Sequence, residues 1–271
     1  MSRPSLLYWH VDAFADRPFA GNQAAVMPLD AWLPDETLQA IAAENMFAET
    51  AFVVRDASGE ADWELRWFTP TLEIRLCGHA TLASGHVLLE PASGFDGGDR
   101  VRFRTRRAGV LEVRRAAHGG YELALPAIQS ERSDWPEAAK ALGGNVLECW
   151  RNPDQYNLFV YASEDEVRAL TPDFATLAAL GHDSFTATAP GRETDVVSRV
   201  FVPGHGVNED PVTGSAHALL TPFWTARLGR PVFSAYQASA RGGFVTCRLE
   251  GDRAWLGGPC VTVVEGRFYL G

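Results

Sequence analysis

The chain has 271 residues, 46% of them hydrophobic and 21% charged, with a formal net charge of −10. That length suffices for two core-bearing units or one large domain, and the acidic balance leaves no basic footprint for nucleic acid or an anionic membrane. No apolar run approaches the ~18 residues that a membrane-spanning helix needs.

The opening segment MSRPSLLYWHVDAF is interrupted by Pro4, His10 and Asp12, so it lacks the apolar core of a secretory leader and reads as the first strand. Leu33-Pro34-Asp35 opens an amphipathic helix with proline in its first turn, Leu38, Ile41 and Ala42 on one face, and an end near Asn45. Glu49 follows, just before an apolar strand over Thr50–Val54. After Arg66-Trp67-Phe68-Thr69-Pro70 comes a glycine junction, Cys77-Gly78-His79-Ala80, and then a helix over His79–Leu89 that stops before Pro91. The arginines of 102–107 and 114–115 alternate in a strand pattern and read as a solvated face.

A boundary between halves is expected around Pro126–Trp135, giving units 1–130 and 131–271, with the C-terminal end a candidate for crossing back to the first. In the second half, Thr171-Pro172-Asp173 opens a helix that ends at Gly181, and a strand follows over Phe185–Ala189. Arg199-Val200-Phe201-Val202-Pro203 precedes a second junction, Thr213-Gly214-Ser215-Ala216, and a helix over Ser215–Leu228 that Pro222 is expected to bend.

These segments repeat. The Arg-x-Phe-x-Pro runs, the two glycine junctions, and Gly109–Val113 against Gly243–Cys247 recur in one order, about half a chain apart. The two helices after the junctions carry almost no charge and many small residues, as helices enclosed on most sides do. With strands flanking them in sequence, a curved sheet wrapped around a central helix is the predicted arrangement of each half. The predicted class is α+β, with two pseudo-symmetric halves.

A helix start offers unsatisfied N–H groups and positive partial charge, and glycine lets a ligand approach that backbone. Two such starts facing one cleft would suit a small carboxylate. The reactive residues near them are His79, Ser215, Asp210 and Glu49. A carboxyl at the edge of an apolar segment tends to be desolvated, which suits acid–base work. Each also has a plainer reading: Glu49 as a loop residue, His79 as a helix cap, Asp210 as a turn residue before Pro211, and Ser215 as a helix-start hydroxyl. Cys77 is either a nucleophile or acid, or a small buried hydrophobe. No GxSxG elbow surrounds Ser215. The four cysteines form no CxxC pair, disulfide framework or zinc-site spacing, and the seven histidines form no HExxH, so a reducing, cytoplasmic compartment and no metal are expected.

The segments VDAFADRPFAGNQAAV (11–26), AENMFAETAFV (43–53), RWFTPTLEIRLCGHATLASGHVL (66–88), SRVFVPGHGVNEDPVTGSAHALLTPFWTARLG (198–229) and QASARGGFV (237–245) together carry a resemblance to the PhzF family of phenazine-biosynthesis isomerase-like proteins, which share the diaminopimelate epimerase fold. The resemblance implies two similar halves, each a barrel-like sheet around a central helix, with the active site between them. It puts the acid–base glutamate at Glu49 and the active-site His, Asp and Ser at His79, Asp210 and Ser215. It also makes Gly78, Gly214 and Asn22 candidates for substrate binding. The implied reaction is a cofactor-independent proton shift on a small carboxylate such as trans-2,3-dihydro-3-hydroxyanthranilate, carried out by a homodimer. Three departures stand out. Ala48 replaces the serine usual before the glutamate, and Gln23 replaces the proline usual after Gly-Asn. Thr213 stands where a two-cysteine racemase would need its second thiol. The rival readings are a one-base epimerase or racemase of an amino or hydroxy acid, and a carboxylate-binding protein without turnover.

Overall fold

A computed structural model describes residues 4–95, 97–117 and 119–270. The chain forms two compact units: Met1–Ala124 with Gly257–Gly271, and Leu125–Leu256. The division falls just before the stretch expected from sequence. It also assigns residues 257–271, placed by number in the second half, to the first unit.

In the first unit, β18 (Cys260–Tyr269) runs antiparallel to β1 (Ser5–Ala13), and β1 antiparallel to β2 (Asn22–Leu29). β2 lies parallel to β3 (Glu49–Arg55), the crossover carrying α1 (Asp35–Asn45). β3 pairs antiparallel with β4 (Trp63–Phe68), which takes a short antiparallel partner, β5 (Glu73–Ile74). β4 then lies parallel to β6 (Arg100–Thr105) across α2 (Gly78–Leu89), and β7 (Val110–Arg115) and β8 (Tyr121–Pro126) close the series antiparallel.

The second unit repeats that order. β9 (Glu131–Ser133), β10 (Glu148–Arg151) and β11 (Tyr156–Val160) are antiparallel neighbours, with α3 (Pro136–Leu142) between the first two in sequence. β11 lies parallel to β12 (Ser184–Pro190) across α4 (Glu164–Ala169) and α5 (Phe174–Ala179). β12 pairs antiparallel with β13 (Val196–Val202), and β13 with the short β14 (Val207–Asp210). β13 then lies parallel to β15 (Val232–Gln237) across α6 (Gly214–Leu228), and β16 (Gly243–Glu250) and β17 (Arg253–Gly258) follow. The repeat read from short sequence matches is thus a repeat of topology. β18 is the counterpart of β9, which is why the C-terminus returns to the first unit.

The two units also share a partly buried electrostatic device. Arg66 donates from Nε and Nη2 to both carboxylate oxygens of Glu73, at 2.8 and 2.9 Å, with its guanidinium 4.9 Å from the Phe68 ring. Arg199 does the same to Glu209, at 2.8 and 2.9 Å, over Phe201 at 4.9 Å. Each fork ties a short strand, β5 or β14, to the longer strand before it, β4 or β13, which fixes where the glycine junction begins.

α2 is buried along its whole length and packs against β1, β2, β3, β6, β7 and β18. It tolerates this because it is uncharged and its hydroxyls bond back into the helix: Thr81 Oγ1 donates to Cys77 O at 2.5 Å, and Ser84 Oγ to Ala80 O at 2.7 Å. α6 is buried over its first half and continues as one helix through Pro222. Proline cannot supply the N–H that the Ala218 carbonyl needs; Ile128 N donates to that carbonyl instead, at 3.1 Å. The arginine run of the first unit is a face of ion pairs: Arg104 bonds Asp56 and Glu64, and Arg106 bonds Glu73. Among the described residues no helix is long and apolar enough to cross a membrane.

Candidate functional site

In the first unit, Glu49 is the first residue of β3 and His79 the second of α2. Their side chains meet with Oε2 3.0 Å from Nε2. The approach is close but not aligned as a hydrogen bond, so Glu49 Oε2 is buried without an aligned donor. The other face of the ring meets Asn22, whose Nδ2 is 3.1 Å from Nδ1, and Cys77, whose Sγ is 3.5 Å from Nδ1 and 4.0 Å from Nε2. Asn22 is placed by Gly21, which adopts φ +63° where a side chain would strike the Ala13 carbonyl.

His79 does not cap its helix; Cys77 occupies that position. Asn22, expected at the substrate, is 1% exposed and holds the ring of His79. Burial disfavours a charged His79, but Cys77 and Glu49 beside it more than offset that and raise its pKa well above 6.5. Cys77 is itself pushed up to about 11 by burial and the Glu49 carboxylate, against the opposing pull of His79. At neutral pH it is therefore a thiol, and the standing charge partner of His79 is Glu49. The pair is a buried imidazolium–carboxylate couple with a neutral thiol alongside.

In the second unit, Asp210 ends β14 and Ser215 is the second residue of α6. Both are half-buried. The loop between them is tightly bonded. Thr213 Oγ1 donates to Asp210 Oδ2. Gln237, fully buried in β15, accepts from Thr213 N at 2.8 Å through Oε1 and donates to Asp210 O at 2.6 Å through Nε2. Ser239 Oγ donates to Pro211 O at 2.7 Å. The effect is to fix the Asp210 carboxylate and the first turn of α6, with Gly214 and Ser215 at its start. Gln237 is a positioning residue that the motif pattern did not single out. Its only sequence signal was its place in the stretch 237–245.

His217, one turn into α6, is fully buried, with Nδ1 2.8 Å from Thr213 O and no hydrogen-bond partner at Nε2. Burial pulls its pKa down to about 4. The two junction helices thus carry histidines of opposite character, one charged and beside a carboxylate, the other neutral and structural.

The description "phenazine biosynthesis-like protein" (PhzC-PhzF) matches residues 11–266. An uncharacterized isomerase of Pseudomonas aeruginosa is 48% identical over 266 residues, 98% of this chain and 99% of its own. A second uncharacterized isomerase of that organism is 46% identical, covering 98% and 99%. The crystal structure of a PhzF-family phenazine biosynthesis protein from Enterococcus faecalis superposes with a TM-score of 0.91 at 42% identity, over 98% of this chain and all of that one. The chain belongs to the phenazine biosynthesis-like, PhzC-PhzF family.

Proposed function

We propose that this chain is an isomerase that shifts a proton on a small carboxylate-bearing metabolite resembling trans-2,3-dihydro-3-hydroxyanthranilate, with its own side chains as acid and base. The observation that carries this reading is the Glu49–His79 couple. Glu49 is 15% exposed at its side chain and so keeps a path to solvent, while Oε2 stands against a charged imidazole. In this reading Glu49 takes a proton from a carbon next to a conjugated or carboxylate-activated centre and returns it to another carbon on the same face.

His79 acts as the fixed positive group beside the reacting carboxylate. It stands as a counter-charge to the Glu49 carboxylate and offsets charge as it develops on the substrate. Asn22 keeps the ring in place. Asp210 and Ser215 are proposed as substrate-holding groups, with the Gly78 and Gly214 backbones as carboxylate binders, as the family resemblance implies. The names of the relatives, both isomerases, support the reaction class. Cys77, a thiol at neutral pH, is not the base, and Thr213 at its repeat-related position offers no second thiol, which favours a carboxylate carrier over a two-thiol exchange.

The test is proton exchange in heavy water over a panel of small cyclic and amino carboxylates, followed by NMR for wild type and Glu49→Gln. Deuterium uptake that depends on Glu49 is the expected result, and the carbon labelled separates a double-bond shift from inversion at an α-carbon. A bound compound with no exchange would instead identify a binding protein.

A further inference from the structure

Among the described residues one group of three ligand-type side chains converges closely enough to hold a metal: Glu49, Cys77 and His79, whose donor atoms all lie within 4.8 Å of one another. We propose that these three residues form a Zn2+ site that closes the proton-transfer centre when the metal binds. The blocking effect rests on the function proposed above; the metal site itself does not.

The donors suit zinc in kind and spacing. A thiolate, an imidazole and a carboxylate are the ligands that zinc takes, with a fourth tetrahedral position left to water. Bonds of about 2.3 Å to sulfur and about 2.0–2.2 Å to nitrogen and oxygen set tetrahedral donor–donor edges of roughly 3.4–3.6 Å. Two of the three observed edges straddle that range, with Sγ to Nε2 at 4.0 Å and Nε2 to Oε2 at 3.0 Å, and the third, from Sγ to the Glu49 carboxylate, lies within 4.8 Å and closes as the Glu49 and Cys77 side chains turn toward the metal. Side-chain adjustments of about half to one ångström would bring all three to it. The three donors hang from the start of β3 and from the cap and first turn of α2, so the backbone already holds them together.

Two further features fit a metal. Glu49 Oε2 is buried and lacks an aligned donor, a position that a cation would satisfy. Asn22 lies against Nδ1 of His79, where a metal-bound imidazole needs an orienting partner, and leaves Nε2 for the metal. With the amide turned so that its oxygen accepts from Nδ1–H, this is the usual outer-shell arrangement.

The exchange balances in charge. Zn2+ replaces the Cys77 S–H proton and the His79 Nε2–H proton, both of which leave to solvent, so the buried cluster keeps its net charge. The metal sits on the same Oε2–Nε2 edge that proton transfer uses. Bound zinc and a working Glu49 are therefore exclusive.

The test uses the full chain after chelator treatment. Calorimetry with Zn2+ should give one site per chain, and Co2+ should produce a thiolate-to-cobalt charge-transfer band. Cys77→Ser should lose that band and weaken Zn2+ binding by more than about tenfold. Cys149→Ser, which changes a buried cysteine of the other unit, should keep both. Circular dichroism checks that Cys77→Ser is folded; Glu49→Gln is the second variant, expected to weaken Zn2+ while keeping the band. Zn2+ should abolish deuterium exchange and EDTA should restore it. No band in wild type, or undiminished Zn2+ affinity in folded Cys77→Ser, would overturn the site. Full exchange at saturating Zn2+ would overturn the block. A Cys77-dependent band in a protein that exchanges no proton with any bound compound would uphold the metal site and sink the isomerase reading.

Discussion

Oε2 of Glu49 lies 3.0 Å from Nε2 of His79, a carboxylate at the head of a strand against an imidazole at the head of a buried helix. The contact makes the charge state of His79 depend on the carboxylate beside it. With Glu49 ionised, His79 binds its proton more tightly in the folded chain than in the unfolded one. Its stabilisation is then complete below about pH 6.5 and is lost as pH rises through the folded value. Glu49→Gln removes the anion, and burial then favours the neutral ring. Between pH 6.5 and 9, below the range where buried Cys77 titrates, wild-type melting temperature should fall with pH and that of Glu49→Gln should fall less. Equal slopes in thermal melts of the two proteins would show that the couple is not charged.

His217 predicts the opposite slope on the acid side. Its pKa is pulled down to about 4 by burial, so the unfolded chain takes the proton first as pH falls. Stability should be lost from about pH 6.5 down through pH 4, by about 3 kcal/mol in all. His217→Asn keeps a donor for the Thr213 carbonyl and has nothing to titrate. Urea unfolding at pH 4 and 7 should show the acid loss shrink in that variant; an unchanged loss would assign it to other groups.

Gln237 holds the Asp210–Thr213 loop with both ends of its amide. Gln237→Ala takes this partner from the half-buried Thr213 N–H and Asp210 carbonyl, which should cost about 1–2 kcal/mol. Gln237→Glu is more informative. Ionised, it still accepts from Thr213 N but repels the Asp210 carbonyl. Protonated, it can donate there again. This variant should be weak at neutral pH and recover as pH falls toward about 4–5. Denaturation midpoints across that range check it, and no recovery would mean that the donor end contributes little.

Ile128 N supplies the hydrogen bond that Pro222 denies to Ala218 O. Ile128→Pro should therefore destabilise the second unit by about 1–3 kcal/mol, because a buried carbonyl loses its donor. Ile128→Val, which keeps the N–H, should cost far less. The two variants compared by urea unfolding separate the backbone bond from the side chain.

The sequence disclosed the duplication because its carriers are local: an Arg-x-Phe strand, a glycine junction and an uncharged helix, each repeated within a few residues. It disclosed the helix at Pro34 and the enclosure of 79–89 for the same reason. What it hid was pairing between distant strands. Arg66 finds Glu73 seven residues on, whereas Arg199 finds Glu209 ten residues on, so the matched forks share no spacing. Asn22 reaches His79 across 57 residues only because α2 packs against β2. β18 joins the first unit by pairing with β1, a contact between chain ends that no local pattern encodes. Gln237 lies in a strand of alternating burial, where the pattern marks an inward position but not what it bonds.

Gly85, in the middle of α2, shows how closely the first sheet is drawn around that helix. A β-carbon added there would collide with the Val113 side chain of β7. The obstruction is a side chain rather than backbone, so it can be relieved by making room. Gly85→Ala alone sets a gain in helix propensity of about 1 kcal/mol against overpacking of about 1–3 kcal/mol, and should be net destabilising. Val113→Ala alone opens a cavity and should cost about 2 kcal/mol. Together, loss of the Val113 methyls removes the closest contact and leaves only Cβ, at 2.6 Å, for a small shift of α2 or β7 to clear, while the helix keeps its propensity gain. The double variant should then be more stable than the sum of the single losses by at least about 1 kcal/mol. Urea unfolding of the four proteins gives that coupling directly. Additive losses would mean that α2 moves away from β7 instead of packing into the space. Because His79 is carried on the same helix, such a shift would also show as a changed pH slope in the melting temperature.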